Sequence, residues 1–281
     1  MIVEPFKRSS VKAFRRAASE GAVHPGLGQS MKTKCETENV PRKALLACLL
    51  AMTVTAAAAA DSRVAVFAHR AEVAFDQAQA QYRSQMDNPV VAWEFARACY
   101  DSADWATNKA QRATIAREGI AACKQSLVFT NSAAAHYYMA MNMGQLARTE
   151  ELGALKLVRE MEREFLIAAD LDPAADFGGA ERGLGLLYRD APGWPISIGN
   201  RPRARKYLEA AVSLGSNYPE NILNLGESYL KWGDKIGARQ ELAALDALWP
   251  SAQKSLTGPH WEWSWDDWSN RRDALRAKLE Q

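Results

Sequence analysis

The sequence lacks the features that mark several large protein classes. It has no apolar run of the roughly 20 residues that a transmembrane helix needs, and its 35 basic and 33 acidic residues leave a net charge of only +2. This balance, with 48% hydrophobic residues, excludes a disordered tail of one charge sign. Only 17 glycines and 11 prolines occur in 281 residues, which excludes a collagen-like fibre. The composition is that of a globular protein of one or two domains.

Basic charge is concentrated near the N-terminus. Residues 1–60 hold nine basic and four acidic side chains, so the other 221 residues hold 26 basic and 29 acidic ones. The larger part of the chain therefore carries a formal charge of −3. A nucleic-acid-binding protein carries clustered basic charge, and we expect no nucleic-acid partner for this part.

Residues 1–60 have the organisation of a leader that is removed on export. The apolar stretch 44–57 follows a basic pair and ends in an alanine tract that reaches Ala60. It is too short to cross a bilayer comfortably, and small residues are what a signal peptidase requires. We predict a periplasmic protein cleaved near Ala60, with a mature chain that starts near Asp61. Because the segment before the apolar stretch is long for a signal peptide, Met31 is an alternative start.

The four cysteines point to no metal or redox chemistry. Cys35 and Cys48 fall in the predicted leader. The sequence around Cys48 resembles a lipidation box. Cleavage before Cys48 would leave most of the apolar stretch after the cleavage site instead of before it, so we expect no lipid anchor there. Cys99 and Cys123 lack the C-x-x-C spacing of a metal or redox site. Their offset of about two helical turns favours two buried thiols over a disulfide.

A repeat runs through the chain beyond Asp61. Apolar residues recur at a spacing of three to four, which predicts helices. Residues 220–250 show the order of a tetratricopeptide repeat, namely Leu225-Gly226, Tyr229, Ala238, Leu242, Leu245 and Pro250. Three earlier copies are more divergent and are marked by Leu184-Gly185 with Tyr188, by Tyr137 with Gly144, and by Phe95 with Cys99.

Stacking of these copies predicts the architecture. One helix pair cannot bury its apolar face, whereas stacked pairs share a continuous core and need capping helices at both ends. We therefore predict an all-α fold, a right-handed helical solenoid of about four tetratricopeptide-like helix pairs over residues 88–250. Residues 61–87 form the N-terminal cap, and residues 251–281 form a Trp-rich C-terminal cap.

An insertion in the third copy interrupts the repeat. Residues 190–199 contain two prolines and two glycines, which cannot continue a helix. A tryptophan in such a loop, Trp194, is suited to contact with a ligand or partner. The alternative is that Trp194 folds back and fills a gap between repeats.

Strings of residues in 130–250 resemble a known family. The stretch Phe177 to Tyr188 is followed by Ala191-Pro192-Gly193-Trp194-Pro195, while Tyr137-Tyr138 precedes it and Tyr218-Pro219-Glu220-Asn221 comes after it. Together they resemble the T-component family of TRAP transporters. The resemblance implies a periplasmic helical repeat protein that associates with solute-binding partners of a transport system.

Motifs for catalysis are missing from the sequence. It contains no H-E-x-x-H and no G-x-S-x-G, and the glycines of residues 178–185 lack the Gly-Lys-Ser/Thr ending of a P-loop. We interpret Gly185 as the small residue at which two helices approach closely. His136 is interpreted as a helix-face residue or a satisfied core residue rather than a ligand, and Glu164 is expected on a solvated face. The sequence therefore predicts no enzyme, no metal and no cofactor.

Tryptophan is concentrated near the C-terminus. In a helix Trp261, Trp265 and Trp268 share one stripe, and Trp263 lies elsewhere. We expect this stripe to pack on the last repeat, since aromatic side chains bury large areas. Stacking on sugars or lipids and a dimer contact are the alternatives.

The repeat register also predicts a concave binding surface. In a tetratricopeptide repeat, fixed positions of the first helix of each pair line this surface. Here these positions, with Trp194 of the loop, are Trp93, Arg97, Tyr100, Tyr138, Asn142, Gln145, Arg182, Leu186, Arg189, Leu223, Glu227 and Leu230. Arginines on such a surface suit an acidic group. Loss of Arg182 and Arg189 is expected to weaken binding while helicity stays intact.

The favoured function is that of a non-enzymatic periplasmic protein that binds a protein partner, such as a solute-binding or TRAP-type transport component. A small hydrophobic or acidic ligand in the concave groove is a further expectation. A general scaffold for cell-envelope assembly, with self-association into a homo-oligomer, is the alternative. An envelope hydrolase is the least favoured class.

Overall fold

The structure is a computed structural model that describes residues 42–150 and 153–281, with the backbone alone for residues 42–62. Within these ranges it is helical and contains no β-strand, which confirms the predicted all-α fold. Contacts group residues 70–281 into one compact unit and residues 42–69 into a second. No helix in the described ranges is both long and apolar enough to cross a membrane.

Ten α-helices follow one another in the described residues. They are α1 (Arg42–Ser84), α2 (Pro89–Ala103), α3 (Lys109–Phe129), α4 (Ala133–Ala147), α5 (Ala154–Leu171), α6 (Gly179–Asp190), α7 (Arg201–Leu214), α8 (Pro219–Lys231), α9 (Lys235–Ser255) and α10 (Glu262–Glu280). A short 3₁₀ turn, Ala175–Phe177, precedes α6.

Four successive helix pairs build the unit of residues 70–281. The pairs are α2 with α3, α4 with α5, α6 with α7, and α8 with α9. Each pair also packs on the next one through α3 and α4, α5 and α6, or α7 and α8. At the C-terminal end α10 packs on both α8 and α9. The predicted solenoid of four pairs with a C-terminal capping helix is confirmed.

Polar side chains set where the helices begin. The side chain of Asn88 accepts hydrogen bonds from the backbone N–H groups of Val90 and Val91 at the start of α2. Such caps satisfy N–H groups that have no partner inside the helix. The same role is taken at the starts of α3, α4, α7 and α9 by Asn108, Ser132, Asn200 and Asp234.

Glycines allow close helix contacts both inside a pair and between pairs. A Cβ atom added at Gly185 would lie 2.6 Å from Cγ of Leu208, and one added at Gly183 would lie 2.6 Å from the ring of Phe165. These distances are shorter than any packed carbon contact, so only glycine fits here. The interpretation of Gly185 as a packing residue is confirmed.

The last repeat is longer than its sequence pattern predicts. Helix α9 continues through Pro250 to Ser255, although Pro250 was expected to end the repeat. Trp249, Ala252 and Leu256 remain buried after this point, in one cluster with Trp268 of α10. Burial of this apolar face continues the helix past the proline, because helices in proteins depend mainly on the packing of their apolar face.

Cys99 and Cys123 are free thiols, and both are buried. Burial raises the pKa of both thiols, which suppresses the reactive thiolate form. The expectation of two buried residues without a disulfide is confirmed. The predicted cleavage site at Ala60 and the side chain of Cys48 lie outside the described side chains.

Candidate binding surface

Most positions predicted to line the concave surface lie in contacts between helices. Asn142, Gln145 and Leu223 are fully buried, and Tyr100, Tyr138 and Arg182 are 7–8% exposed. Leu186 and Leu230 pack against the cluster that contains Leu275 of α10. Neighbouring helices therefore cover most of the positions that were expected to face a groove.

The two predicted amides connect the first and second helix pairs. Nδ2 of Asn142 donates to the backbone oxygens of Ala96 and Tyr138, both at 2.8 Å. Nε2 of Gln145 donates to Oδ1 of Asp104 at 2.9 Å. A buried amide with these partners is a structural element, so neither side chain is available to a ligand.

Arg182 occupies the centre of a buried polar network. Its Nη2 atom lies 2.6 Å from Oδ2 of Asp176 and 3.2 Å from the hydroxyl of Tyr137, and its Nη1 atom donates to Oδ1 of Asn221 at 3.0 Å. The guanidinium also lies 5.2 Å from the ring centroid of Tyr218. Helices α4, α6 and α8 thus meet at one cation, and the expectation that Arg182 lies free in a groove is wrong.

Arg189 and Glu227 are also engaged within the protein. Arg189 pairs with Asp190 at 2.6 Å and donates to Oγ of Ser228 at 3.0 Å. Both carboxylate oxygens of Glu227 accept from Arg271 of α10 at 2.9 Å. The capping helix therefore takes the place that a ligand would occupy beside α8.

The first pair leaves part of the predicted surface accessible. Trp93 is half-buried and stacks on Tyr138 with ring centroids 5.9 Å apart. Arg97 is exposed. The pKa of Arg97 is raised by the neighbouring Tyr138 and also by the carboxylates of Asp101 and Asp176. Because these groups are anionic or electron-rich, the surroundings of Arg97 are poorly suited to bind an additional anion.

Trp194 is the most exposed large apolar side chain of the described residues, at 89%. The expectation that it fills a gap between repeats is therefore wrong. Its loop is tied together by backbone hydrogen bonds, from Gly199 N–H to the oxygen of Pro192 at 2.9 Å and from Ile196 N–H to the oxygen of Gly193 at 3.1 Å. The Trp194–Pro195 peptide bond is cis. The loop presents an apolar tip of Trp194 and the 63% exposed Ile196.

A basic helix face lies next to this tip. Lys156, Arg159 and Arg163 of α5 are exposed, and with Leu155, Glu160 and Ile196 they line a shallow groove of about 360 Å³. We call loop 191–200 together with this face of α5 the Trp194 corner. Sequence reasoning missed the three cations, although their spacing of three and four residues places them on one side of a helix.

The tryptophans of the tail pack against other helices and loops of the protein. Trp268 is fully buried, and Trp261 and Trp265 pack in the same cluster. Trp263 lies apart from this stripe, with its ring centroid 4.9 Å from that of Trp105. The stripe packs on the last repeat as expected, with Trp261 and Trp265 partly exposed at its edge.

His136 lies in a buried hydrogen-bonded pair with Glu164. Nδ1 of His136 lies 2.6 Å from Oε2 of Glu164, and Nε2 lies 2.7 Å from Oδ1 of Asn131. His136 is thus a satisfied core residue, whereas Glu164, expected on a solvated face, is buried. Within the described ranges no three His, Cys, Asp or Glu residues are placed to hold a metal ion.

Glu181 of α6 is a buried carboxyl group whose Oε2 atom has no hydrogen bond within the described residues. Burial raises its pKa above the usual 4.5 and Asp172 adds to the increase, while a backbone hydrogen bond and the charge of Arg182 act in the opposite direction. A group with a raised pKa in the folded state stabilises below its unfolded-state pKa and loses this contribution as pH rises through the folded value. Stability should therefore fall from about pH 4.5 towards neutral pH.

Replacement of Glu181 by Gln tests this pH dependence. We expect Glu181→Gln to melt at the same temperature as the wild type near pH 4 and at a higher temperature at pH 7.5, because Gln stays neutral at both. Thermal unfolding followed by circular dichroism at both pH values gives the comparison. Equal melting temperatures at pH 7.5 would contradict the assignment.

Comparison with known families gives one match. The sequence model of the family described as "Regulator of microtubule dynamics protein 1-3" matches residues 57–176. This range is less than half of the chain and contains the first two helix pairs, including the three cations of α5, but it ends before Trp194. A search of curated proteins found no match. The chain is therefore similar to this family over its first two pairs.

Proposed function

We propose that the protein is a non-enzymatic binding module that holds a protein partner on the Trp194 corner. The observation that carries this proposal is the 89% exposure of Trp194 on a hydrogen-bonded loop. Tryptophan is enriched among the residues that dominate binding energy at protein interfaces. A loop that is already ordered loses little entropy on binding.

We further propose that the partner belongs to the cell envelope. The leader-like residues 1–60 and the resemblance to the T-component family support an exported protein whose partner is a solute-binding or transport component. Because the predicted groove positions are engaged within the protein, an outer edge is favoured over the groove. The Trp194 corner also suits the alternative function, a scaffold for cell-envelope assembly. The two functions differ only in which envelope protein is bound.

The match to the microtubule-dynamics family supports a second candidate function. That description would place a partner of the first two helix pairs in the cytoskeleton. Co-sedimentation of the purified protein with polymerised tubulin separates the two candidates. Binding to the polymer together with retention of residues 1–60 in cells would favour the second candidate over export.

Substitution of Trp194 by Ser tests the proposed function. We expect the variant to keep the stability of the wild type within about 0.5 kcal/mol, since an exposed side chain has little packing to lose. Capture of the partner in intact cells, measured by cross-linking from Arg201 at the base of the loop, should fall at least about tenfold, as is typical for loss of an interface anchor. Val128→Ser, at another exposed apolar position (72%), is the matched control. Unchanged capture by Trp194→Ser would contradict the proposal.

A further inference from the structure

The Trp194 corner combines a line of cations with an apolar groove. Lys156, Arg159 and Arg163 follow one another at three and four residues along α5, so they span about 10 Å of the helix axis. The side chain of Lys156 is 85% exposed and that of Arg163 is 66% exposed. The apolar side of the groove is formed by Leu155 and Ile196.

These cations have weak partners within the protein. Lys156 lies 3.8 Å from Glu160, an exposed pair of the kind that contributes little to stability. Arg163 contacts Glu164, but that carboxylate is already paired with His136. The groove thus holds three cations against the single carboxylate of Glu160, in a chain whose residues beyond 60 carry a net charge of −3.

We infer that the partner presents an acidic amphipathic helix, which lies along α5 with its carboxylates on Lys156, Arg159 and Arg163 and an apolar residue between Leu155 and Ile196. This inference rests on the proposed function, because it names the partner class for the same corner. Carboxylates three and four residues apart on a helix match the cation spacing of α5. An apolar stripe beside them matches the groove, as in other complexes in which a helix lies in a groove.

An anionic membrane is the other partner that basic and tryptophan-rich surfaces attract. The shape of the corner disfavours it. A lipid surface meets a protein over a broad face, whereas the apolar side chains of Leu155 and Ile196 line a groove together with the cations. A side chain of a peptide fills such a groove, so a helix uses both the charge and the apolar contact.

A photo-cross-linking experiment tests the partner class. The full chain carrying p-benzoylphenylalanine at Leu155 is irradiated in cells, and the attached peptide is sequenced by mass spectrometry. We expect a segment with at least three Asp or Glu residues at a spacing of three or four and with apolar residues between them. A neutral or basic segment, or a lipid adduct, overturns the inference.

Charge reversal then measures the contribution of the cations. Binding of the synthesised cross-linked segment should be at least about tenfold weaker for the variant Lys156→Glu, Arg159→Glu, Arg163→Glu, and it should weaken with added salt, as screening requires. The matched control reverses the exposed Lys124, Lys235 and Lys254 and should change the affinity less than about twofold. Circular dichroism checks that both variants fold. The inference is overturned if the two triple variants weaken the affinity for the segment equally. It is also overturned if the α5 variant alone loses binding to phosphatidylglycerol vesicles.

Cross-linking from p-benzoylphenylalanine at Leu155 in one variant and at Trp194 in another tests this inference separately from the proposed function. A protein that cross-links from Trp194 but not from Leu155 supports the binding module and overturns the helix in the groove. If no protein cross-links from either position, both proposals fail.

Discussion

Arg182→Ala is expected to lower the free energy of unfolding by about 3 kcal/mol, in the lower part of the range for breaking a buried ion pair. The substitution leaves the carboxylate of Asp176, the hydroxyl of Tyr137 and the amide oxygen of Asn221 without their shared donor. The loss stays near the lower limit because the side chain of Asp176 is 34% exposed and can be hydrated. For a unit of this size the melting temperature should fall by about 6–12 °C.

Arg159→Ala is the matched control for this experiment. Arg159 is an exposed arginine of α5, and its removal should change stability by less than about 0.5 kcal/mol. Denaturant unfolding followed by circular dichroism compares both variants with the wild type. If Arg182→Ala proved as stable as Arg159→Ala, the network would be incidental, and the sequence-based expectation of a free Arg182 would regain support.

The contrast between these arginines shows what the sequence could determine. The spacing of apolar residues and glycines was sufficient to predict the four helix pairs, because helix period and close helix contacts are local properties. The repeat register placed Arg182 on a ligand-facing surface, whereas the structure buries it. Its burial depends on partners 39 and 45 residues away, Asn221 and Tyr137, and local spacing carries no information about them.

The sequence also could not predict that the C-terminal helix covers the expected groove, because this contact again joins residues that are far apart in the chain. Glu227 was expected to face a ligand, and its partner Arg271 lies 44 residues further along the chain. The Trp-rich pattern predicted a cap, but it did not predict which face of α8 the cap covers. For Trp194, the sequence left two interpretations, since only the surrounding helices decide whether a gap exists for the ring.

The cations of α5 illustrate the opposite case. Their spacing is visible in the sequence, but a basic face on a helix is usually only a solvated surface. It becomes a candidate site because the loop 191–200 of the next pair brings Ile196 against the same groove. The functional surface therefore arises from an insertion in the third pair that lies beside a regular helix of the second.

Arg271→Ala is expected to have the largest effect of the single substitutions, a loss of about 3–5 kcal/mol in the free energy of unfolding. The side chain of Arg271 is 12% exposed and contacts three carboxylates, those of Glu227, Glu220 and Asp267. It also donates to Oδ1 of Asn224 at 2.6 Å. Without the guanidinium, three negative charges remain close together at the interface of α8 and α10, and their repulsion adds to the lost hydrogen bonds.

Arg276→Ala on the same helix is the control. Arg276 also forms a two-bond contact with a carboxylate, to Asp246 at 2.7 and 2.8 Å, but this pair is about 40% exposed. An exposed pair contributes about 0–1 kcal/mol, so the two variants compare arginine–carboxylate contacts at different burial. Arg271→Lys should fall between wild type and Arg271→Ala, since Lys keeps the charge but loses the planar fork that binds Glu227.

Denaturant unfolding measures the loss, and hydrogen exchange locates it. In Arg271→Ala the amides of α10 should exchange faster than those of α2 to α5, and the emission of the buried Trp268 should shift to longer wavelength as the helix detaches. Because α10 covers the face of α8 predicted to bind a ligand, detachment would also expose Leu223 and Glu227. Protection of α10 equal to that in Arg276→Ala would show that the aromatic cluster alone holds the cap, and that the buried arginine is not needed to close this face.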